Sequence, residues 1–95
     1  MIGKKVIIRG DRSGVFFGTM LKKEQTEVTL TKCRRLYYWD GASSISQLST
    51  DGTTKPDECK FTVVVEQIVI LDAIEIIPCE LKAIKSIESV KVWKR

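Results

Sequence analysis

The sequence predicts an α+β domain: an antiparallel sheet of five or six strands, or a small bent barrel, with two short helices, one at the C-terminus. Three observations carry that expectation. Short Val-, Ile- and Phe-rich runs recur through the chain, separated by clusters of Gly, Asp, Ser and Lys. Gly18 interrupts the second run, where a missing side chain marks a bend or a close backbone approach. Leu81, Ile84, Ile87 and Val90 then recur at helical spacing.

Taken in order, Val6 to Arg9 reads as a first strand, closed by the turn-forming run Gly10-Asp11-Arg12-Ser13-Gly14. Val15 to Leu21 is the second, and Lys22 to Gln25 a polar turn. Thr26 to Leu30 sets Val28 and Leu30 against Glu27, Thr29 and Thr31, a strand with one wet face. Lys32 to Trp39 reads as a fourth run, in which Cys33, Arg35, Tyr37 and Trp39 share one face while Arg34, Leu36 and Tyr38 share the other. If the strand is regular, Phe16 and Phe17 also face opposite ways, so one of them is expected to be exposed or buried against a second copy.

Gly41 to Leu48 suits a helix of one or two turns, with Ser44 and Gln47 at capping-box spacing, and Asp51-Gly52 ends it. Thr53 to Glu58 is a loop. Residues 61–65, 68–71 and Ala73 to Ile77 supply two or three further strands, and Pro78 stops the last. The closing helix is amphipathic, with Lys82, Lys85 and Glu88 toward water. There is no internal repeat or linker, and residues 1–95 read as a single domain.

Composition narrows the function. With 95 residues, 43% hydrophobic and 29% charged, the chain reads as an ordinary soluble domain. A core of this size buries only about 60–65% of the surface of the unfolded chain, which favours a homo-oligomer. Histidine is absent, which excludes imidazole bases, histidine metal ligands and Ser-His-Asp triads. Cys33, Cys59 and Cys79 are an odd number at wide spacing, read as reduced, partly buried thiols with no disulfide or zinc site. Neither a signal-peptide core nor a membrane-spanning stretch is present, so the expected compartment is the cytoplasm. No phosphate loop, dinucleotide fingerprint or paired carboxylates stand out, and the expectation is a protein that is not an enzyme and needs no cofactor or metal.

Charge points to an anionic partner. The net charge is +4; residues 1–35 hold nine basic and three acidic side chains, whereas residues 36–95 hold seven and nine. The densest constellation is Arg34-Arg35-Leu36-Tyr37-Tyr38-Trp39 leading into Gly41-Ala42-Ser43-Ser44. Guanidinium forks pair with phosphate oxygens, aromatic faces stack on bases, and a helix start opened by Gly and Ser suits an anion. Against this stands the plainer reading, in which alternate aromatics are core and the arginines are edge-strand charges. Phe61, beside Lys60, either stacks opposite Trp39 or is core, and its position favours core.

The segments V-I-I-R-G-D-R-S-G-V-F-F-G, E-V-T-L-T-K-C-R-R-L-Y-Y-W-D-G-A-S-S-I-S-Q-L, C-K-F-T-V, I-E-I-I-P-C and A-I-K-S-I-E-S-V-K-V-W-K resemble a family of small phage and prophage proteins, the first-described family of Thoeris anti-defence proteins. The resemblance spans almost the entire chain. It implies a sponge that binds cyclic ADP-ribose isomers in the host bacterial cytoplasm without cleaving them, assembled as a dimer or higher oligomer, with cyclic oligonucleotides held in separate pockets of some members. The ligand-binding positions it implies are Arg34, Arg35, Trp39, Ala42, Ser43, Ser44 and Phe61. Two departures are Cys33 and Cys79, where Ala and Thr are expected; the second removes a threonine cap from the last helix. The alternatives are an Sm-like or SH3-like nucleic-acid-binding module and a structural or host-protein-binding phage protein.

Overall fold

Val6, Ile7 and Ile8 are all completely buried, so both faces of their strand are covered. That fact organises the fold. The computed structural model describes residues 1–94. In chain order it contains β1 (Lys5–Gly10), β2 (Val15–Glu24), β3 (Glu27–Tyr38), α1 (Ile45–Asp51), a 3₁₀ turn (Pro56–Glu58), β4 (Lys60–Phe61), β5 (Val65–Ile70), β6 (Ala73–Pro78) and α2 (Leu81–Ser89).

The six strands form one antiparallel sheet in the order β4-β3-β2-β1-β6, with β5 also paired to β3. β4 takes the C-terminal end of β3, Leu36 opposite Phe61, and β5 takes its N-terminal part, from Val28 opposite Ile70 to Cys33 opposite Val65. β5 and β6 are joined only by Leu71 and Asp72, yet one pairs with β3 and the other with β1. No ladder joins them, so the curled sheet does not close into a barrel.

One face carries Val6, Ile8, Phe16, Met20, Val28, Leu30, Cys33, Ile70 and Ala73. β5, paired to β3 on one side of the sheet, and β6, paired to β1 on the other, both contribute to this cluster, so the sheet curls around it. Against the other face pack the helices: Ile7, Phe17, Leu36 and Phe61 meet Leu48 of α1 and Ile87 of α2, with Val90 beyond it. Phe16 is 1% exposed and Phe17 3%. This corrects the expectation that one of them is left for solvent or a partner copy. They do face opposite ways, and each enters its own cluster, where burial of a large apolar side chain is worth about 1.5–3 kcal/mol.

The third and fourth runs of the sequence are one strand. β3 passes through Leu30, Thr31 and Lys32 without ending, because Lys32 turns the backbone through the left-handed region (φ 46°) and adds one residue opposite Gly18. A Cβ at Gly18 would lie 2.6 Å from Cys33 Cβ and 3.1 Å from Cys33 Cα, so the bulge needs a glycine there. The turn expected at Lys22 to Gln25 is shifted as well. β2 runs to Glu24, and Gln25-Thr26 is a two-residue hairpin loop with Gln25 at φ 52°.

Ser44 caps α1, its side chain accepting from Gln47 N at 3.1 Å, while Gln47 Oε1 accepts from Ser43 N and Ser43 Oγ, each at 2.8 Å. The return half of the expected capping box thus falls on Ser43 rather than Ser44. Gly52 closes the helix at φ 78°, donating to Leu48 O, and a Cβ there would meet Ser86 of α2. α2 is capped by the backbone at Glu80, not at Cys79, so no side-chain cap stood to be lost at Cys79; its thiol packs instead beside the helix-side cluster. Ala83 and Ile87 are the buried stripe of α2, and Leu81 is exposed. Lys82 pairs with Asp51, and Glu88 with Lys5.

Candidate functional site

β3 sends its two arginines to opposite faces of the sheet, and they do opposite things. Arg34 is 3% exposed. It donates from Nε to Thr62 O (3.0 Å), from Nη2 to Phe61 O (3.1 Å), and from Nη1 to Ile87 O (3.1 Å) and Val90 O (3.0 Å). Two of those carbonyls are the end of α2, where the helix dipole is negative. Its guanidinium also lies over the Phe61 ring at 5.5 Å, and burial lowers its pKa. Among the described residues no carboxylate pairs with it; backbone carbonyls alone take its charge.

Arg35 is exposed. It lies 4.5 Å above the Phe16 ring and donates from Nη1 to Ser13 O, in the loop between β1 and β2. Nε and Nη2 have no protein partner among the described residues, so they are available to an acceptor from solvent. Two open cavities share Arg35 and Ser13 as a common wall. One, of about 350 Å³, is lined by Gly14, Val15, Leu36, Tyr37 and Trp39 as well. The other, of about 470 Å³, adds Arg12, Phe16, Ile68, Leu71 and Asp72. Both fall within the size range of small-molecule sites.

Trp39 follows the end of β3. It is half-buried, with part of its surface against the helix-side cluster and part on the first cavity. Tyr37 stays 62% exposed although its ring stacks on Trp93, with centroids 5.0 Å apart and planes 8° apart. Lys60 lies over Trp93 at 5.6 Å and over Tyr38 at 5.9 Å.

Of the seven positions singled out in the sequence, the structure brings two together, Arg35 and Trp39. Arg34 and Phe61 are core and present no surface to a ligand: Phe61 is fully buried, and its carbonyl serves Arg34 and Trp93 N. Ser43 and Ser44 are engaged in capping α1, and Ala42 packs on the helix-side cluster; none of the three lines the Arg35 cavities.

Sequence reasoning missed the loop at Ser13 and Gly14, and with it Asp72. The Asp72 carboxylate accepts from Arg12 N (2.8 Å), Ser13 N (3.1 Å) and Ser13 Oγ, and its backbone carbonyl accepts from Asp11 N (2.9 Å). The Ser13 hydroxyl, followed by the Arg12 amide, holds the Asp72 carboxyl below its ordinary range. The signal for this loop was present as the dense turn Gly10 to Gly14; its partner lies some sixty residues on and leaves no local pattern.

Burial pushes the Cys33 thiol up and the Cys79 thiol up to about 11, so neither is an activated nucleophile. All three cysteines are free, and no group of metal-ligating side chains occurs among the described residues. No helix among them is long and apolar enough to cross a membrane.

The fold and site define a small α+β domain whose curled sheet presents one guanidinium between two open cavities. The chain belongs to the family described as a domain of unknown function, DUF6948, which matches residues 3–87 and so includes the whole of both cavities. No curated protein matches the chain.

Proposed function

We propose that this protein binds a small nucleotide signal of the cyclic ADP-ribose class and holds it uncleaved, as a phage anti-defence protein acting in the host bacterial cytoplasm. The observation that carries the reading is the exposed Arg35 guanidinium, anchored by one nitrogen and open at the other two, between two cavities of ligand size. A pyrophosphate would take the open nitrogens, and Trp39 offers an aromatic face to a base. Sequestration rather than turnover is supported by the groups around the cavities: Arg12 and Arg35, aromatic rings, and an Asp72 carboxylate whose two oxygens are already taken up by the Arg12 amide and by the amide and hydroxyl of Ser13.

Assembly of several copies is part of the proposal. Its support no longer comes from Phe16 or Phe17, which are buried, but from exposed Val63, Val64, Val69, Leu71 and Ile74 and from the unpaired edges of β5 and β6. Sedimentation at micromolar concentration should show at least a dimer; a monomer would remove this part.

Titration calorimetry with cyclic ADP-ribose isomers tests the binding site. Arg35→Ala removes a charge-assisted contact worth about 1.5–3 kcal/mol, so affinity should fall roughly 10- to 150-fold. Arg35→Lys keeps the charge and loses the fork, and should recover little. Bound nucleotide should be recovered unchanged. Folded Arg35→Ala and Trp39→Ala with wild-type affinity, or multiple-turnover hydrolysis products, would defeat the reading.

A second reading, a nucleic-acid-binding module, is favoured by Tyr38, Trp93 and Lys60, an exposed aromatic and basic surface. Salt separates the two. Nucleic-acid affinity falls by orders of magnitude between about 50 and 200 mM salt, whereas a ligand with two phosphates loses far less.

A further inference from the structure

The loop that anchors Arg35 is itself held from a distance. Residues 11–14 join β1 to β2, and their position is set by the turn between β5 and β6, through Asp72. Both carboxylate oxygens are used. Oδ2 accepts from the amides of Arg12 and Ser13 at 2.8 and 3.1 Å, and Oδ1 accepts from Ser13 Oγ. The loop packs close on β1: a Cβ at Gly10 would collide with Ser13 Oγ and come within 2.8 Å of Asp72 Oδ1. Ser13 is therefore the middle of a relay. Its amide and hydroxyl are fixed by Asp72, and its carbonyl accepts from Arg35 Nη1.

We infer that Asp72 is the positioning residue for Arg35: by fixing Ser13 it orients the guanidinium and sets how Nε and Nη2 are presented to an anionic ligand. The inference rests on the proposed role of Arg35 as the phosphate-binding group. It adds the strand turn that determines whether that group is preorganised. An arginine held in one geometry before binding loses less freedom when the ligand arrives, and release of one such side chain weakens binding by about 2- to 10-fold.

Asp72 has a second, opposing effect, which makes the test sharp. It lines the 470 Å³ cavity beside Arg12 and Arg35, so its negative charge repels an anion there. If it acts only through charge, Asp72→Asn tightens binding; if it positions Arg35, Asp72→Asn loosens it. Amide substitution keeps the size of the side chain but removes its charge, so the oxygen left to the Arg12 and Ser13 amides holds them more weakly and the amide NH2 meets Ser13 Oγ as a donor; all three bonds of the carboxylate lose their charge assistance.

The experiment has two arms. In the first, the ¹⁵N-bound Nε–H resonance of Arg35 is followed by NMR in the ligand-free protein. It should be sharp in the wild type, broadened or shifted in Asp72→Asn, and less affected in Ser13→Ala, which keeps the Ser13 carbonyl and loses only the hydroxyl. An Arg35 resonance unchanged in folded Asp72→Asn overturns the inference whatever the ligand proves to be. In the second arm, affinity for cyclic ADP-ribose is measured by calorimetry for Asp72→Asn, Arg35→Ala and the double variant at about 150 mM salt. Asp72→Asn should bind about 2- to 10-fold more weakly, and this weakening should be lost in the Arg35→Ala background, where only the relief of charge repulsion remains. Tighter binding by Asp72→Asn alone, or a weakening that persists without Arg35, overturns the inference. If the wild type does not bind the probe, the proposed function falls on that result, and the NMR arm still decides the positioning role.

Discussion

Replacing Arg34 by Met keeps the length and apolar stem of the side chain and removes its four hydrogen bonds. The acceptors do not lose equally. Phe61 O also accepts from Trp93 N at 2.8 Å, and Ile87 O from Val90 N at 3.4 Å. Thr62 O and Val90 O have no such second donor among the described residues; Val90 O becomes a buried carbonyl without a partner, and Thr62 O a part-buried one. An orphaned buried acceptor costs about 1–3 kcal/mol, and the part-buried Thr62 O adds less, so the two cost about 2–4 kcal/mol. Removing a buried guanidinium that has no carboxylate partner relieves part of that by ending its desolvation. A net loss of about 2 kcal/mol is expected, and for a domain of this size that lowers the melting temperature by about 8–16 °C. Arg34→Lys should recover at most half, because one ammonium cannot span both the Phe61–Thr62 pair and the end of α2. Urea unfolding reads the effect as a lower midpoint at unchanged slope. Amide exchange should show the loss concentrated in α2. An Arg34→Met protein within 0.5 kcal/mol of wild type would refute the reasoning, since the carbonyls would then have found other donors.

Three further outcomes follow from the geometry. Gly18→Ala drives a Cβ to within 3.1 Å of Cys33 Cα and Thr31 O, and should cost about 1–3 kcal/mol in chemical denaturation; an unchanged midpoint would mean the β2–β3 bulge relaxes freely. Cys79, with its thiol pushed up to about 11 from 9.0, should be alkylated by iodoacetamide at pH 8 about 100-fold more slowly in the folded chain than in urea, read by mass spectrometry; equal rates would contradict its burial. Asp72 has a depressed carboxyl pKa when folded and an ordinary one, 3.8, when unfolded. Its contribution is therefore complete above that value and lost as pH falls below it, so wild type should exceed Asp72→Asn in melting temperature at pH 6 and approach it toward pH 3. A constant gap would assign the difference to something other than the carboxylate.

Periodicity made much of this fold legible. The hairpins, the Ser44 cap, the Gly52 stop and the stripe on α2 all follow from patterns within a few residues. Four features escaped, for three physical reasons. Lys32 in the left-handed region leaves no mark in the sequence, because lysine is not a residue that signals such a turn, and so one bent strand read as two. Alternation by itself leaves one of Phe16 and Phe17 exposed or buried against a second copy, because it describes a strand and not the layers above and below it; the unbroken Val6-Ile7-Ile8 is the sign that both sides are covered. Arg34 and Arg35 are the same residue type side by side, and alternation separates their faces without saying which face is buried. That depends on α2, some fifty residues later. The Ser13–Asp72 contact is non-local in the same way: either residue alone looks like ordinary turn chemistry.

The Arg34 bridge also has a consequence in time. As the chain leaves the ribosome, β1, β2 and β3 can pair while α2 is still unmade, and at that stage the Arg34 guanidinium has no helix end to hold. Two of its four acceptors, Ile87 and Val90, are synthesised more than fifty residues after it. Until they emerge, that charge must stay hydrated, and the face of the sheet that carries Ile7, Phe17 and Leu36 cannot be sealed. A nascent chain halted before residue 87 should therefore remain open on one side and be prone to capture by chaperones or proteases. Completion of α2 turns a charged side chain of β3 into the clasp that closes the domain.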